Sequence, residues 1–337
     1  MTRGEFAWIA RLVEILGEPS RGRIGDDTAT IEIGGDRLAW TVDTLVEGVH
    51  FRFDWLDPEA VGRRALVASL SDLAAAGAEP LGALVVAAGP AATVAARLEG
   101  VYHGLRAAGD EAHCPVLGGD LARTEGPLHV TVTALGRVSG APPGRSGVRA
   151  GDELWVTGEL GGPAAAIALL AAAAPALAAD ASAAPALAAA RAHPAYERLA
   201  APRARLAEMR WLRERADLHA AIDVSDGISG DAAHIAERSG VRVVLEPDRV
   251  PVHPGAALAA RSLGADARKW ALHGGEEFEL LLAAPPGALA PHAAAFQSTF
   301  GISLTRIGEA RAGAGIAARS NGAEQALVPR SWDHFAP

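Results

Sequence analysis

The segment AIDVSDG, at residues 221–227, decides the fold class of this chain. It joins an apolar run at 219–224, typical of a buried strand, to a helical pattern at 228–239. A strand that ends in small residues and a carboxylate just before a helix is typical of an α/β domain. We therefore expect an α/β domain around this segment, with an acidic turn at the end of its strand.

The same alternation of strands and helices extends over both halves of the chain. In the second half, further strands are predicted at 153–157, 241–246 and 278–284, and a helix at 203–216. In the first half, predicted strands at 28–33, 38–43, 81–88 and 129–138 alternate with predicted helices at 58–77 and 91–108. The turn-rich stretch at 139–152 separates the halves. We expect an N-terminal mixed α+β domain at 1–140 and a C-terminal α/β domain at 150–337.

Composition excludes several classes of function. The 337 residues are 50% hydrophobic and carry a formal net charge of −9, which opposes non-specific binding to nucleic acid. The only lysine, Lys269, follows an arginine, whereas a Walker A loop needs Gly-Lys-Ser/Thr to hold phosphates. A nucleic-acid partner and the P-loop route to ATP are therefore not expected.

The sequence also bears on the compartment. Its single cysteine, Cys114, excludes intrachain disulfides, and the first residues lack the apolar run of a signal peptide. The alanine-rich stretch at 163–200 is interrupted by Pro175, Asp180 and Pro185, so it reads as soluble helix with loops. We expect a cytoplasmic protein with no membrane span.

Six short acidic turns share one pattern, in which small residues precede or follow a carboxylate. They are GDD at 25–27, TVDT at 41–44, SD at 71–72, GGD at 118–120, DVSDG at 223–227 and GGEE at 274–277. Carboxylates that converge at strand ends repel one another unless cations neutralise them. Hard cations with oxygen ligands, above all Mg²⁺, suit such a set.

Each turn also has a purely structural interpretation. Asp72 and Asp226 stand where helix N-caps occur, and Ser225 is either a cap or a phosphate ligand. The GDD turn is an ordinary turn signal, and Arg145 is either a phosphate-binding cation or a surface residue. Six such turns in one chain favour a metal and phosphate site over six unrelated caps.

Taken in order, these motifs resemble those of the thiamine-monophosphate kinase family. The matching stretches are GEF at 4–6, IGDD at 24–27, VDTLVEGVHF at 42–51, LSDLA at 70–74, GGD at 118–120, AIDVSDG at 221–227, GGEEFE at 274–279 and WDHF at 332–335. The resemblance implies the aminoimidazole ribonucleotide synthetase-like fold. In that fold an N-terminal mixed-sheet domain dimerises through its sheet, and a C-terminal α/β domain closes the active site.

The resemblance also implies roles for individual residues. The expected Mg²⁺ ligands are Asp27, Thr41, Val42, Asp43, Asp72, Asp120, Asp223 and Asp226. The expected nucleotide contacts are Tyr102, Gly119, Asp120, Arg145 and Ser225, and the expected substrate contacts are His50, Glu276 and Trp332. Among the metal ligands, Asp43, Asp72 and Asp120 are expected to matter most for catalysis. Val42 stands where a threonine is common, so it offers a metal only its backbone carbonyl.

The implied reaction is transfer of a phosphoryl group from ATP to thiamine monophosphate, in a homodimer that binds several Mg²⁺ ions. Trp332 and His50 also have local interpretations, as a tail residue packed on the core and as a loop histidine. Other enzymes of this fold remain alternatives, although a selenophosphate synthetase usually needs an N-terminal cysteine or selenocysteine with a nearby lysine. A non-catalytic maturation module is a further alternative; it would present a C-terminal cysteine, whereas this chain ends HFAP.

Overall fold

The computed structural model describes residues 5–17, 24–179, 184–330 and 335. Trp332, an expected substrate contact, lies outside these residues. The described chain forms two β-sheets of five and seven strands, each packed against helices. This arrangement confirms the expected mixed α+β and α/β fold class.

The five-stranded sheet comes from the first half of the chain. Its elements are α1 (Glu5–Leu16), β1 (Ala29–Ile33), β2 (Asp36–Val46), α2 (Pro58–Ala75), β3 (Ala78–Gly89), α3 (Ala91–Ala112), β4 (Val116–Arg123) and β5 (His129–Val138). The strand order is β1-β2-β5-β3-β4. Only β3 and β4 run parallel, and the other neighbours are antiparallel.

The two faces of this sheet differ in what covers them. Successive residues of a strand point to opposite faces, so Thr41, Asp43 and Leu45 lie on the face covered by α2 and α3. The other face, here called the open face, carries Trp40 and Val42 of β2 together with the exposed Leu84 and Val86 of β3. Val42 is 62% exposed. Contiguous exposed apolar faces of this kind are typical of interaction surfaces.

The GGD motif lies within an edge strand, not in a strand-end turn. Gly119 in β4 pairs with Val85 in β3, and a Cβ atom at Gly119 would lie 1.7 Å from the carbonyl oxygen of Val85. Only glycine permits so close an approach. Glycine and aspartate are poor strand formers, which is why the strand signal was absent from the sequence.

The seven-stranded sheet comes from the second half. Its strands are β6 (Glu153–Thr157), β7 (Ala220–Val224), β8 (Arg242–Leu245), β9 (Glu279–Ala284), β10 (Leu304–Arg311), β11 (Gly315–Ser320) and β12 (Ala323–Ala326), in the order β12-β11-β8-β10-β6-β9-β7. Its helices are α4 (Gly162–Ala179), α5 (Ala184–Arg191), α6 (Tyr196–Ala200), α7 (Leu206–Arg213), α8 (Ile228–Ser239), α9 (Pro254–Leu263), α10 (Ala267–His273) and α11 (Ala293–Phe300), with 3₁₀ turns at Pro247–Arg249 and Ala290–His292.

The alanine-rich segment forms α4, α5 and α6 where the structure describes it. Ala165, Ala166 and Leu170 of α4 belong to the same buried cluster as Leu66 and Leu70 of α2. Small alanine side chains allow these helices to pack closely, so the segment joins the two halves of the molecule. Within the described chain, no helix combines the length and apolar character that crossing a membrane requires.

Candidate active site

Four of the six acidic turns contribute an aspartate to one cluster between the two halves, and three of these aspartates lie closest together. Asp27 precedes β1, Asp72 lies in the last turn of α2, and Asp223 lies in β7. One carboxylate oxygen from each lies within 4.8 Å of the others. Asp43 of β2 adjoins them and accepts a 2.9 Å hydrogen bond from Ser69 Oγ. We call these four aspartates the acidic cluster.

The acidic cluster is electrostatically costly when it is fully ionised. Burial raises the pKa of Asp27 from its usual 3.8 to about 6, although Arg145 opposes this shift. Burial, followed by repulsion from Asp43, Asp223 and Asp27, holds the pKa of Asp72 well above its usual value. The pKa of Asp223 is raised by burial and by Asp27, and that of Asp43 by burial. A cation among these carboxylates would remove most of this cost.

The chemistry of the donors fits a hard divalent cation. The cluster offers carboxylate oxygens, and the hydroxyl of Thr41 donates a hydrogen bond to Asp72 Oδ2. All of these ligand atoms are oxygens, which Mg²⁺ prefers. Because Asp72 lies at the C-terminal end of α2, it cannot cap a helix N-terminus, and the helix dipole there disfavours its charge. The residues therefore fit Mg²⁺ binding better than a capping role.

Arg145 brings a positive charge to the edge of the cluster. Its Nε donates a 2.8 Å hydrogen bond to Asp27 Oδ1, and its backbone N–H donates to Asp26 Oδ1 at 3.0 Å. The Arg145 side chain keeps 21% of its surface exposed. The turn-rich stretch between the two sheets thus positions a guanidinium where an anionic ligand of the cluster could contact it.

Ser225 and Asp226 lie between β7 and α8. Because the helix begins after Gly227, Asp226 is not its N-cap.

Asp231 lies one turn further along, in α8. It is 1% exposed, and its Oδ2 has no hydrogen-bond partner within the described part of the chain. Burial, then repulsion from Asp226 and Asp223, raises its pKa well above its usual value. The sequence offered no signal for Asp231, since an acid in the first turn of a helix is ordinary.

The backbone after α10 brings Glu276 beside Ser225. The N–H of Glu276 donates a hydrogen bond to the carbonyl of Ser225 at 2.6 Å. The N–H of Phe278 donates one to the carbonyl of Val224 at 3.0 Å. Glu276 and Phe278 both adopt positive φ, 63° and 53°, which is uncommon for residues other than glycine. The Glu276 carboxylate forms an ion pair with Arg64 of α2. Glu276 is therefore already paired with a cation, which sequence reasoning did not foresee.

His50 lies in the turn that follows β2. Its Nδ1 accepts a 3.0 Å hydrogen bond from the backbone N–H of Val46. In the neutral ring the proton then lies on Nε2. This bond fixes the orientation of the ring near the end of the strand that carries Asp43.

Three expected nucleotide contacts lie elsewhere in the chain. Tyr102 and residues 116–121 line a shallow groove of about 540 Å³ along the edge strand β4. Asp120 is exposed and pairs in register with Val86, so it lies on the open face, whereas Asp43 lies on the covered face. Strands β2 and β4 are three spacings apart, about 14 Å. Within one chain, Asp120 therefore lies far from the acidic cluster.

Comparison with known proteins first defines the fold. Residues 25–138 match the family described as AIR synthase related protein, N-terminal domain. The crystal structure of Escherichia coli HypE, a hydrogenase maturation protein, matches 96% of this chain and 98% of that chain with a TM-score of 0.68 at 20% identity. At this identity the likeness shows a shared fold alone.

Closer relatives define the family. Thiamine-monophosphate kinase of Aquifex aeolicus is 30% identical over 333 residues, which cover 98% of each chain. The structure of AaThiL complexed with AMPPCP and TMP matches 98% of this chain and 97% of that chain, with a TM-score of 0.83 at 30% identity. The convergence of Asp27, Asp72 and Asp223 lies in the motifs by which the sequence resembles this family. The chain belongs to the thiamine-monophosphate kinase family.

Proposed function

We propose that this protein is a cytoplasmic kinase that transfers the γ-phosphoryl group of ATP to thiamine monophosphate and forms thiamine diphosphate. The observation that supports this most is the convergence of Asp27, Asp72 and Asp223 within 4.8 Å, a set of oxygen ligands suited to Mg²⁺. Relatives at 30% identity over nearly the whole chain carry the same activity in their names.

The mechanism needs no general base from the protein. The second pKa of a phosphate monoester is about 6, so the attacking phosphate oxygen of thiamine monophosphate is already largely ionised at neutral pH. The difficulty is to bring two anions, ATP and thiamine monophosphate, together with the attacking oxygen in line with the bond that breaks. Bound Mg²⁺ would screen the phosphate charges. The protein contributes by holding Asp43, Asp72 and Asp223 in fixed positions, with Arg145 beside them. Glu276 would then contact the acceptor, thiamine monophosphate.

The test is an assay of purified protein with Mg²⁺-ATP. We expect thiamine diphosphate and ADP to form in equal amounts from thiamine monophosphate, and free thiamine to give no product. If neither substrate gives product while ATP still binds, the non-catalytic nucleotide-binding alternative is correct. If ATP is consumed only with another acceptor, the protein is another enzyme of the same fold.

We further propose that the working site is completed by a second copy of the chain. Tyr102 of α3 lines the groove beside Gly119 and Asp120 of β4, whereas Arg145 pairs with Asp27 of the acidic cluster and Ser225 lies two residues after Asp223. Because Asp120 and Asp43 lie on opposite faces of the five-stranded sheet, we expect the two groups that contact one nucleotide to come from different subunits. The open face supports a homodimer, because its exposed Trp40 and Val42 would be buried against a partner.

Metal binding predicts a pH-dependent change in stability. Because the folded-state pKa of Asp27 is about 6 and that of Asp72 is well above its usual value, the metal-free folded protein binds more protons than the unfolded chain between about pH 4 and these raised pKa values. Its stability should therefore fall as the pH rises. Mg²⁺ should raise the Tm by about 5 °C at pH 8 and by much less at pH 5, measured by differential scanning fluorimetry against EDTA.

The control for this prediction is a pair of neutral variants. Asp223→Asn should remove most of the Mg²⁺ effect, whereas Asp36→Asn, at an exposed position where β2 begins, should leave it unchanged. A Mg²⁺ effect that is equal at pH 5 and pH 8 would contradict the assignment of the cluster.

A further inference from the structure

Arg64 is a buried arginine that lies between the two halves of the molecule. It belongs to α2, the helix that also carries Asp72, and only 1% of it is exposed. Its Nη1 donates a 2.9 Å hydrogen bond to the carbonyl of Leu199, and its Nη2 forms the ion pair with Glu276 Oε1. Both partners belong to the second half of the chain. The guanidinium therefore joins the helix of the acidic cluster to the carboxylate on the acceptor side.

The backbone that carries Glu276 is held from other directions as well. Behind it, Glu277 Oε1 accepts a hydrogen bond from the N–H of Gly161. Arg198 donates to the carbonyl of Glu277 at 3.1 Å and to Glu279 at 2.8 Å. Glu279 also pairs with Arg205, and this partner lowers its pKa against the effect of burial. These contacts hold the backbone on either side of Glu276, and within the described ranges its carboxylate pairs with Arg64.

The burial of Arg64 makes its ion pair with Glu276 necessary. A guanidinium stays charged in proteins, so Arg64 must keep a carboxylate partner in its buried position. The Glu276 side chain, in contrast, remains 28% exposed. One carboxylate oxygen is therefore held by Arg64 while the group still faces solvent. Because its charge is already compensated, Glu276 is better suited to accept a hydrogen bond than to act as a free counter-ion.

We propose that Arg64 is a positioning residue for the acceptor substrate: it orients Glu276 and connects that carboxylate to α2 and the acidic cluster. This proposal rests on the proposed function, in which Glu276 contacts thiamine monophosphate. Arg64 itself does not touch the substrate, because it is buried. Its effect should therefore appear in binding of the acceptor and not in binding of ATP.

The test compares the steady-state kinetics of four variants and one matched control with those of the wild type. Arg64→Met should raise the KM for thiamine monophosphate at least tenfold and leave the KM for ATP within twofold of wild type. Arg64→Lys keeps the charge but cannot reach both Leu199 and Glu276, so it should restore part of the loss. Glu276→Gln should raise the same KM, and the double variant with Arg64→Met should be no worse than Glu276→Gln alone. The matched control is Arg63→Met, which removes a neighbouring arginine that pairs with Glu111 at the surface.

The outcomes separate the possible explanations. If the wild-type protein forms no thiamine diphosphate, the proposed function fails and this proposal fails with it. If the wild type is active but Arg64→Met lowers only the Tm or the yield, with an unchanged KM for thiamine monophosphate, Arg64 is merely structural. Effects of the two substitutions that add independently would also overturn the proposal, because residues acting through one contact should not be additive.

Discussion

Replacing Asp72 with asparagine should lower kcat/KM for thiamine diphosphate formation by about a thousandfold while raising the Tm of the metal-free protein. The loss follows because Asp72 shares the acidic cluster with Asp27 and Asp223, whose carboxylate oxygens lie within 4.8 Å. An asparagine keeps the shape and the hydrogen bond from Thr41 but offers a cation a much weaker ligand. The assay is initial-rate kinetics at saturating Mg²⁺-ATP.

The gain in stability has a separate cause. Burial and three neighbouring carboxylates raise the pKa of Asp72, so its charge destabilises the folded state at pH 8 when no metal is bound. The neutral amide removes that repulsion. Asp110→Asn, on the exposed surface of α3, serves as the control and should change neither quantity. Activity within tenfold of wild type, or a lower metal-free Tm, would argue against the cluster as the metal site.

Combining two inactive subunits should restore activity. Asp72→Asn and Asp120→Asn homodimers should each retain about a thousandth of wild-type turnover. A heterodimer purified with two different affinity tags should recover about half, because one of its two sites then contains both native aspartates. This expectation follows from the position of Asp120, which lies on the open face about 14 Å from β2.

The control heterodimer combines Asp72→Asn with Asp43→Asn. In each subunit Asp43 and Asp72 belong to one acidic cluster. Each of the two sites in this heterodimer therefore contains one substituted cluster, and no activity should return. If the Asp72/Asp120 heterodimer is as inactive as its parents, Asp120 does not act across a subunit interface. Full activity of the Asp120→Asn homodimer would remove this residue from the site altogether.

Local sequence determined a large part of the fold. The AIDVSDG segment led to a strand at 219–224 and a helix at 228–239, and the structure has β7 at Ala220–Val224 and α8 at Ile228–Ser239. Such elements follow from hydrophobic periodicity and from small residues at turns, which neighbouring residues alone can specify. The oxygen-rich motifs likewise indicated Mg²⁺ from residue type, before any position in space was known.

Tertiary structure alone decided how these residues are combined. Arg64 is one arginine among many in the sequence, and only its burial and its contact with Glu276 distinguish it. Asp120 stands in a motif like those of the cluster, yet strand alternation places it on the opposite face of the sheet from Asp43. The physical reason is that burial, the face of a sheet and the pairing of charges far apart in the chain arise only when distant segments pack together.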